Sequence, residues 1–157
     1  MDVFAIAFDV VIGIERGVTT DRGGLTKYGI SKRQYPDLDI ANLTLDQARR
    51  IYETDYWNKC RCDSLPARLA VCVFDAAVNE GQGTAIRMLQ RAVKVLDDGM
   101  IGPSTIAAAH SVSDALTRFL AERAFMYAHT LDFETEGHGW MSRLFIIHEK
   151  VLAQVTA

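Results

Sequence analysis

Apolar residues recur at helical spacing along most of the chain, and helix-start motifs separate the segments. The first segment carries such residues three and four positions apart: Phe4, Phe8, Val11 and Ile12. This spacing predicts an amphipathic helix that ends at Glu15. Thr44, followed three residues later by Gln47, has the form of a capping box and predicts the start of another helix. The pattern therefore favours a mainly α fold.

Proline and hydroxyl residues mark the starts of the remaining helices. The expected starts are Pro66, Thr84, Pro103 and Ser113. A last amphipathic helix is expected over residues 140–155. The strongest strand pattern is TKYGIS at 26–31, in which Thr, Tyr and Ile lie beside glycines. We therefore expect little sheet, in the form of a small β-hairpin.

The length of 157 residues and a hydrophobic content of 49% suit a single globule with its own core. The turn-rich stretch DDGMIGPST near residues 97–105 marks a junction between an N-terminal region, 1–90, and a helical region, 91–157, packed into the same globule. A net charge of -3 argues against binding to nucleic acid through phosphate contacts. Asp2 and Asp9 interrupt the first apolar segment, so we expect neither a signal peptide nor stable membrane insertion.

Cysteine and histidine spacing gives no indication of a metal site. Cys60 and Cys62 form a C-x-C pair without a second cluster, and Cys72 lies in an apolar run typical of a core. Three thiols cannot all pair within the chain, which favours a reducing compartment. The four histidines lack metal-ligand spacing and are expected at the surface: His110, His129, His138 and His148. We therefore expect no metal and no other cofactor.

Three polar residues follow the first helix in an order that suits the cleavage of glycosidic bonds. A carboxyl such as Glu15, at the end of an apolar helix, can keep its proton near neutral pH because burial penalises its ionised form. Asp21 and Thr26 could then hold a water molecule or stabilise positive charge at the sugar carbon. The same residues are also common in ordinary turns.

The order Glu15, Gly17, Asp21, Gly23-Gly24, Thr26 and YGIS at 28–31 resembles the signature of glycoside hydrolase family 108, a family of peptidoglycan muramidases. The segments LTLDQARRIYETDYW and FDAAVNEG resemble further parts of that family. The later segment LQRAVKVLDDGMIGPSTIAA resembles the helical peptidoglycan-binding region that usually follows.

The resemblance implies a lysozyme-like domain with a β-hairpin beside its cleft. It further implies cleavage of the β-1,4 bond between N-acetylmuramic acid and N-acetylglucosamine. Glu15 would be the general acid, while Asp21 and Thr26 would act on water or on the oxocarbenium charge. Substrate contacts would come from six residues: Tyr28, Arg16, Asp75, Asn79, Tyr56 and Trp57. The expected protein is a monomeric phage endolysin that waits in the host cytoplasm and then acts on peptidoglycan.

Several alternatives stay open at the level of sequence. Tyr56 and Trp57 could pack in the core, and Asp75 and Asn79 could cap a helix end. The reaction could also be that of a lytic transglycosylase, or the chain could be a peptidoglycan-binding module without activity.

Arg16 stands where the family usually has glycine, and the loop from Glu15 to Asp21 is shorter than is usual there, with Val18 in the place of an aromatic residue. An arginine at this place could lower the pKa of Glu15, or it could lie at the cleft rim and bind a wall carboxylate.

Overall fold

The computed structural model describes residues 2–14, 18–21 and 24–156, with the side chains of residues 2–13 and 24–156. Within this part of the chain lie seven α-helices, bounded as follows: α1 Val3–Ile14, α2 Leu45–Tyr52, α3 Ala67–Glu80, α4 Gln82–Ala92, α5 Pro103–Ser111, α6 Ala115–Ala128 and α7 Phe133–Gln154. A π-helical turn, Glu53–Trp57, extends α2, and a 3₁₀ turn, Cys62–Ser64, precedes α3. The expectation of a mainly α fold is confirmed.

Three short strands form one antiparallel sheet after α1. The strands are β1 Val18–Asp21, β2 Gly24–Lys27 and β3 Ile30–Ser31, in the order β1-β2-β3. The motif TKYGIS thus covers the second half of β2 and all of β3, and Tyr28 and Gly29 form the turn with positive φ angles of 54° and 75°. The sequence pattern did not predict β1. Asp21 is the last residue of that strand rather than part of a loop.

Helix α3 lies at the centre of the core. Nine of its residues are buried, from Leu69 to Ala77, and α1, α4, α6 and α7 pack against it. A helix that is apolar on most of its surface is stable only when it is covered in this way. Aromatic rings fill the space between α1, α2 and α3 with centroids 5.4–6.1 Å apart: Phe4, Phe8, Tyr52, Trp57 and Phe74.

The predicted capping box at the start of α2 is confirmed. The hydroxyl oxygen of Thr44 accepts a hydrogen bond from the backbone N–H of Gln47 at 3.2 Å. In return, Oε1 of Gln47 accepts one from the backbone N–H of Thr44 at 2.8 Å. Both orphan amides at the helix start are therefore satisfied, as the motif requires.

Other helix boundaries differ from the sequence expectation. Pro103 opens α5 as predicted, but α4 begins at Gln82 rather than Thr84. Helix α6 begins at Ala115, with Asp114 and not Ser113 at the cap position, and the Asp114 side chain makes no capping hydrogen bond. The last helix begins at Phe133, seven residues earlier than expected, because the glycine-containing segment EGHG is helical.

All three cysteines are free and buried. Burial raises the pKa of Cys60 and that of Cys72 to about 12, and it raises the pKa of Cys62 well above its usual value. Cys72 is a core residue, as its apolar surroundings in the sequence predicted. No helix in the described part of the chain combines the length and apolar character needed to cross a membrane.

Candidate active site

The region around the expected catalytic acid is framed by α1 and the sheet. Glu15 and Arg16 lie outside the described residues, between the end of α1 at Ile14 and the start of β1 at Val18. Helix α1 buries Phe4, Phe8 and Val11 in the aromatic core. The helix that leads to Glu15 is therefore held firmly by packing.

Thr26 lies in β2, the central strand of the three-stranded sheet. It pairs with Thr19 of β1 and with Ser31 of β3, so three hydroxyl-bearing residues share one cross-strand row. Asp21 lies two positions beyond Thr19 and pairs with Gly24, the pair nearest the connection between β1 and β2. Positions 21 and 26 are therefore diagonal neighbours in the register, at a typical separation of about 7–8 Å. The sheet brings these two predicted catalytic positions together.

The turn between β2 and β3 is fixed to the helical body by a buried tyrosine. Tyr52 of α2 donates a hydrogen bond from Oη to the backbone oxygen of Tyr28 at 2.9 Å. Tyr28 has φ of 54°, a conformation that a non-glycine residue adopts only where surrounding contacts hold it. The half-buried Tyr28 ring lies 5.5 Å from the ammonium nitrogen of Lys27. Tyr28 thus keeps a surface for the predicted contact with substrate.

Asp55 connects the loop after β3 to the helices through two hydrogen bonds. Tyr35 donates from Oη to Oδ2 of Asp55 at 2.8 Å, and the side-chain amide of Gln82 donates to the backbone oxygen of Asp55. Burial and the hydrogen bond to Asp55 raise the pKa of Tyr35 far above its ordinary value. These residues could not be identified from the sequence, because tyrosine, aspartate and glutamine at positions 35, 55 and 82 form no local motif.

Trp57 is a core residue, which corrects its assignment as a substrate contact. Its side chain is 2% exposed, and its Nε1–H donates to Oδ1 of Asp63 at 2.9 Å. A ring covered on both faces by protein cannot stack on a sugar. Tyr56 is only half-buried, with its ring centroid 5.6 Å from that of Tyr52, so its substrate contact stays a prediction.

Asp75 is also buried, which corrects the expectation that it contacts the substrate. Its side chain is 0% exposed and is neutralised by two arginines. Oδ2 accepts from Nη1 of Arg123 at 2.6 Å, and Oδ1 accepts from Nη2 of Arg143 at 2.7 Å. Asn79 is exposed and donates from Nδ2 to the backbone oxygen of Asp75 at 2.8 Å, as the helix-end alternative predicts.

Metal-binding side chains do not cluster in the described ranges, where no three His, Cys, Asp or Glu residues are placed to hold an ion. The arrangement around β1–β3 offers hydroxyl, phenol and carboxyl groups. Such groups suit acid–base chemistry on a polar substrate.

Comparisons with known proteins cover this region and, for one solved structure, nearly the whole chain. The sequence model of the family described as Glycosyl hydrolase 108 matches residues 8–81, which include positions 15, 21 and 26. The structure of Brucella abortus SagA is similar, with a TM-score of 0.85 and 32% sequence identity over 96% of this chain and 94% of that chain. Among curated proteins, none matches the chain.

Proposed function

The chain belongs to glycosyl hydrolase family 108 and is a glycoside hydrolase with peptidoglycan as its substrate, and from this membership we propose that it is an N-acetylmuramidase. The bond cleaved is the β-1,4 linkage between N-acetylmuramic acid and N-acetylglucosamine. Glu15 protonates the leaving glycosidic oxygen.

The observation that carries this proposal is the overlap between the family match and the local structure. The match over residues 8–81 contains the whole segment from Glu15 to Ser31. That segment follows α1, whose apolar residues pack in the aromatic core, and it contains the three strands of the sheet. A general acid requires a protonated carboxyl, a form that an apolar environment favours.

Asp21 and Thr26 are proposed as the second catalytic group. Their diagonal positions on neighbouring strands allow both residues to act on one water molecule or on one sugar carbon. Ser31, which pairs with Thr26 from β3, extends the same row of hydroxyl residues. Tyr28, held in its turn by Tyr52, is proposed to border the sugar that occupies this row.

The decisive experiment is digestion of purified peptidoglycan, with mass spectrometry of the released fragments. We expect reducing-end products from the parent protein and at least about a 10²-fold loss of rate in Glu15→Gln, since removal of a general acid costs that much. Smaller losses are expected for Asp21→Ala and Thr26→Ala. Asp9→Asn is the matched control, because Asp9 is an exposed carboxylate of α1, which precedes Glu15 in the sequence.

Two outcomes would contradict this mechanism. Fragments with a 1,6-anhydro ring would identify a lytic transglycosylase instead of a hydrolase. Near-parental activity in Glu15→Gln, with an unchanged melting temperature, would show that another residue supplies the proton.

In the cell, this activity is proposed to serve bacterial cell-wall lysis, as in a phage endolysin. Addition of the protein to cells stripped of their outer membrane should then lower the turbidity of the suspension. Glu15→Gln should leave the turbidity unchanged at equal protein concentration.

A further inference from the structure

Tyr52 is a buried tyrosine whose ring and hydroxyl group contact different parts of the molecule. It is the last residue of α2, and it is 1% exposed. Its ring packs on Phe8 of α1 and on Phe74 of α3, with centroids 5.8 Å and 6.1 Å apart. A phenylalanine ring would fill the same space in this aromatic core. The hydroxyl group therefore has a role that is separate from packing.

This hydroxyl group connects the core to the turn between β2 and β3. Oη of Tyr52 donates a hydrogen bond to the backbone oxygen of Tyr28 at 2.9 Å. A buried donor without a partner costs free energy, which favours the retention of this bond. Because the packing of the ring on α1 and α3 fixes where the hydroxyl group lies, the bond holds the turn in place relative to both helices.

The turn that accepts this bond has an unfavourable residue at its first central position. The pairing of Lys27 with Ile30 leaves a loop of two residues. These residues, Tyr28 and Gly29, have φ angles of 54° and 75°. Positive φ at both positions is typical of type I′ hairpin turns, which favour Asn, Asp or Gly at the first position. A bulky residue there is strained and persists only where surrounding contacts hold it, and the bond from Tyr52 is one such contact.

The same turn determines the position of the proposed catalytic row. Thr26 and Ser31 form the strand pair next to that of Lys27 and Ile30. In a hairpin the turn fixes the register of the strands, so a change in the turn is transmitted to this pair. A shift of the turn relative to α1 would thus move Thr26 relative to the segment that contains Glu15. A misplacement of about 1 Å can lower the rate of an enzyme on the order of 10²-fold.

We propose that Tyr52 is a positioning residue of the active site. Through its hydrogen bond to Tyr28, it holds the turn in its strained conformation and keeps Thr26 aligned for the reaction. Tyr52 is buried and acts through the turn rather than through contact with the substrate. The reaction that it serves rests on the proposed function, whereas the geometry rests on the hydrogen bond and the ring contacts above.

Replacement of Tyr52 by phenylalanine removes the hydroxyl group and keeps the ring. We expect Tyr52→Phe to lower kcat on peptidoglycan at least about tenfold and to change KM by less than about twofold, because alignment is lost while no substrate contact is removed. The matched control is Tyr127→Phe, which removes another buried hydroxyl group, one that donates to Glu80 instead of the sheet. This control should keep the parental kcat. Rates are normalised to the folded fraction, measured by circular dichroism.

A double-mutant cycle tests whether Tyr52 acts through the hairpin. In a Thr26→Ala background, Tyr52→Phe should lower kcat by less than about threefold, because the side chain that it aligns is already absent. A merely stabilising hydroxyl group would give the same loss in both backgrounds. The coupling between the two substitutions therefore separates positioning from stability.

NMR spectroscopy tests the geometry without reference to catalysis. In the parent protein, the hydroxyl proton of Tyr52 should exchange slowly with water, since it is buried and hydrogen-bonded. Tyr52→Phe should shift the backbone amide signals of Gly29 and Thr26, while Tyr127→Phe should leave both in place.

Three results would overturn the proposal. The first is a parental kcat in folded Tyr52→Phe, and the second is an equal loss of kcat with and without the Thr26 side chain. The third is rapid exchange of the Tyr52 hydroxyl proton in the parent protein, a measurement that needs no substitution. Parent protein that releases no reducing-end fragments would contradict the proposed function alone, because the NMR measurements do not depend on the reaction.

Discussion

Two neighbouring residues with opposite charge, Glu15 and Arg16, follow α1 in the sequence. The charge of Arg16 could oppose the protonation of Glu15 that the proposed reaction requires. A guanidinium within about 4–6 Å of a carboxyl lowers its pKa by roughly 1–3 units, which would leave a general acid ionised at neutral pH. A guanidinium directed away from that carboxyl could instead bind a carboxylate of the cell wall. We propose the second role for Arg16, since the side chains of consecutive residues point in different directions in helices and in strands.

Replacement of Arg16 by glycine separates these two roles. We expect Arg16→Gly to weaken the binding of peptidoglycan and to reduce the salt dependence of that binding, because one cationic contact is lost. The pH optimum should stay in place. The measurements are sedimentation binding at several ionic strengths and a pH profile of hydrolysis. A pH profile displaced by one unit or more, with binding unchanged, would instead assign Arg16 to the control of the Glu15 pKa.

Asp75 shows how burial changes the importance of an ion pair. Both it and Asp114 accept a short hydrogen bond from an arginine, at 2.6 Å and 2.7 Å, respectively. The Asp75 side chain is 0% exposed, whereas that of Asp114 is 52% exposed. Removing one partner of a buried pair leaves a charge without compensation, while an exposed pair is screened by water.

Substitution of these two aspartates should therefore have very different effects. We expect Asp75→Asn to lower the free energy of unfolding by about 3–5 kcal/mol. Asp114→Asn should change it by less than about 1 kcal/mol. Urea denaturation at neutral pH measures both. Equal effects of the two substitutions would mean that the Asp75 cluster contributes no more than a surface pair.

At the level of elements, the start of α7 depends on one glycine. Gly137 is buried, and a Cβ atom at this position would lie 2.6 Å from the ring of Phe133. Gly139, two residues later in the same helix, has open space around the corresponding position. Glycine in a helix is less stable than alanine by roughly 0.5–1 kcal/mol. At Gly139 nothing opposes this gain from alanine, whereas at Gly137 the Phe133 ring opposes it.

Alanine at these two positions should change stability in opposite directions. Gly139→Ala is expected to raise the free energy of unfolding by roughly 0.5–1 kcal/mol through helix propensity. Gly137→Ala is expected to lower it, because the Phe133 ring must move, and a further Phe133→Ala should recover part of the loss. Thermal unfolding of the three variants and the parent protein checks the pattern, which a stabilising Gly137→Ala would contradict.

The features that could be predicted from the sequence are those whose causes lie within a few residues. The capping box at Thr44 and the start of α5 at Pro103 are local and were predicted correctly. Strand β1 owes its form to pairing with β2, which residue pattern alone does not specify. The early start of α7 depends on the fit of Phe133 over Gly137 and was missed for the same reason.

The candidate site likewise contains features with local causes, which the sequence predicts, and features that depend on distant residues, which it does not predict. Residues 26–31 form strands and a turn as their composition indicated, and Thr26 and Tyr28 lie there together. Asp75 receives its cations from residues 48 and 68 positions away, which no local pattern predicts. Trp57 belongs to a π-helical turn, so spacing based on an ordinary α-helix does not determine which side of the helix it occupies.

At the scale of the whole molecule, the fold removes all three thiols from solvent. Cys60, Cys62 and Cys72 lie in the core, and burial raises the pKa of each. With pKa values of about 12 for Cys60 and Cys72, only about one part in ten thousand of either thiol is ionised at pH 8. The thiolate is the reactive form, so both inaccessibility and low ionisation protect these residues.

A thiol reagent should consequently report the integrity of the whole fold. We expect no reaction with dithionitrobenzoate at pH 8 over the time in which the denatured protein reacts completely. In guanidinium chloride, three thiols should react, one for each cysteine of the sequence. Rapid modification of a thiol in native protein, with its circular dichroism spectrum unchanged, would show that the core opens locally.

The ion pairs of Asp75 also bear on how such a chain can recombine in evolution or in design. The family match ends at residue 81, but the arginines that neutralise Asp75 come from α6 and α7, well beyond that limit. A chimera that contained only residues 8–81 of this chain would keep Asp75 but lack its partners Arg123 and Arg143. Exchange between relatives should therefore succeed when α3, α6 and α7 are transferred together, or when the recipient already supplies both cations. A segment transferred without its context therefore has to be longer than residues 8–81.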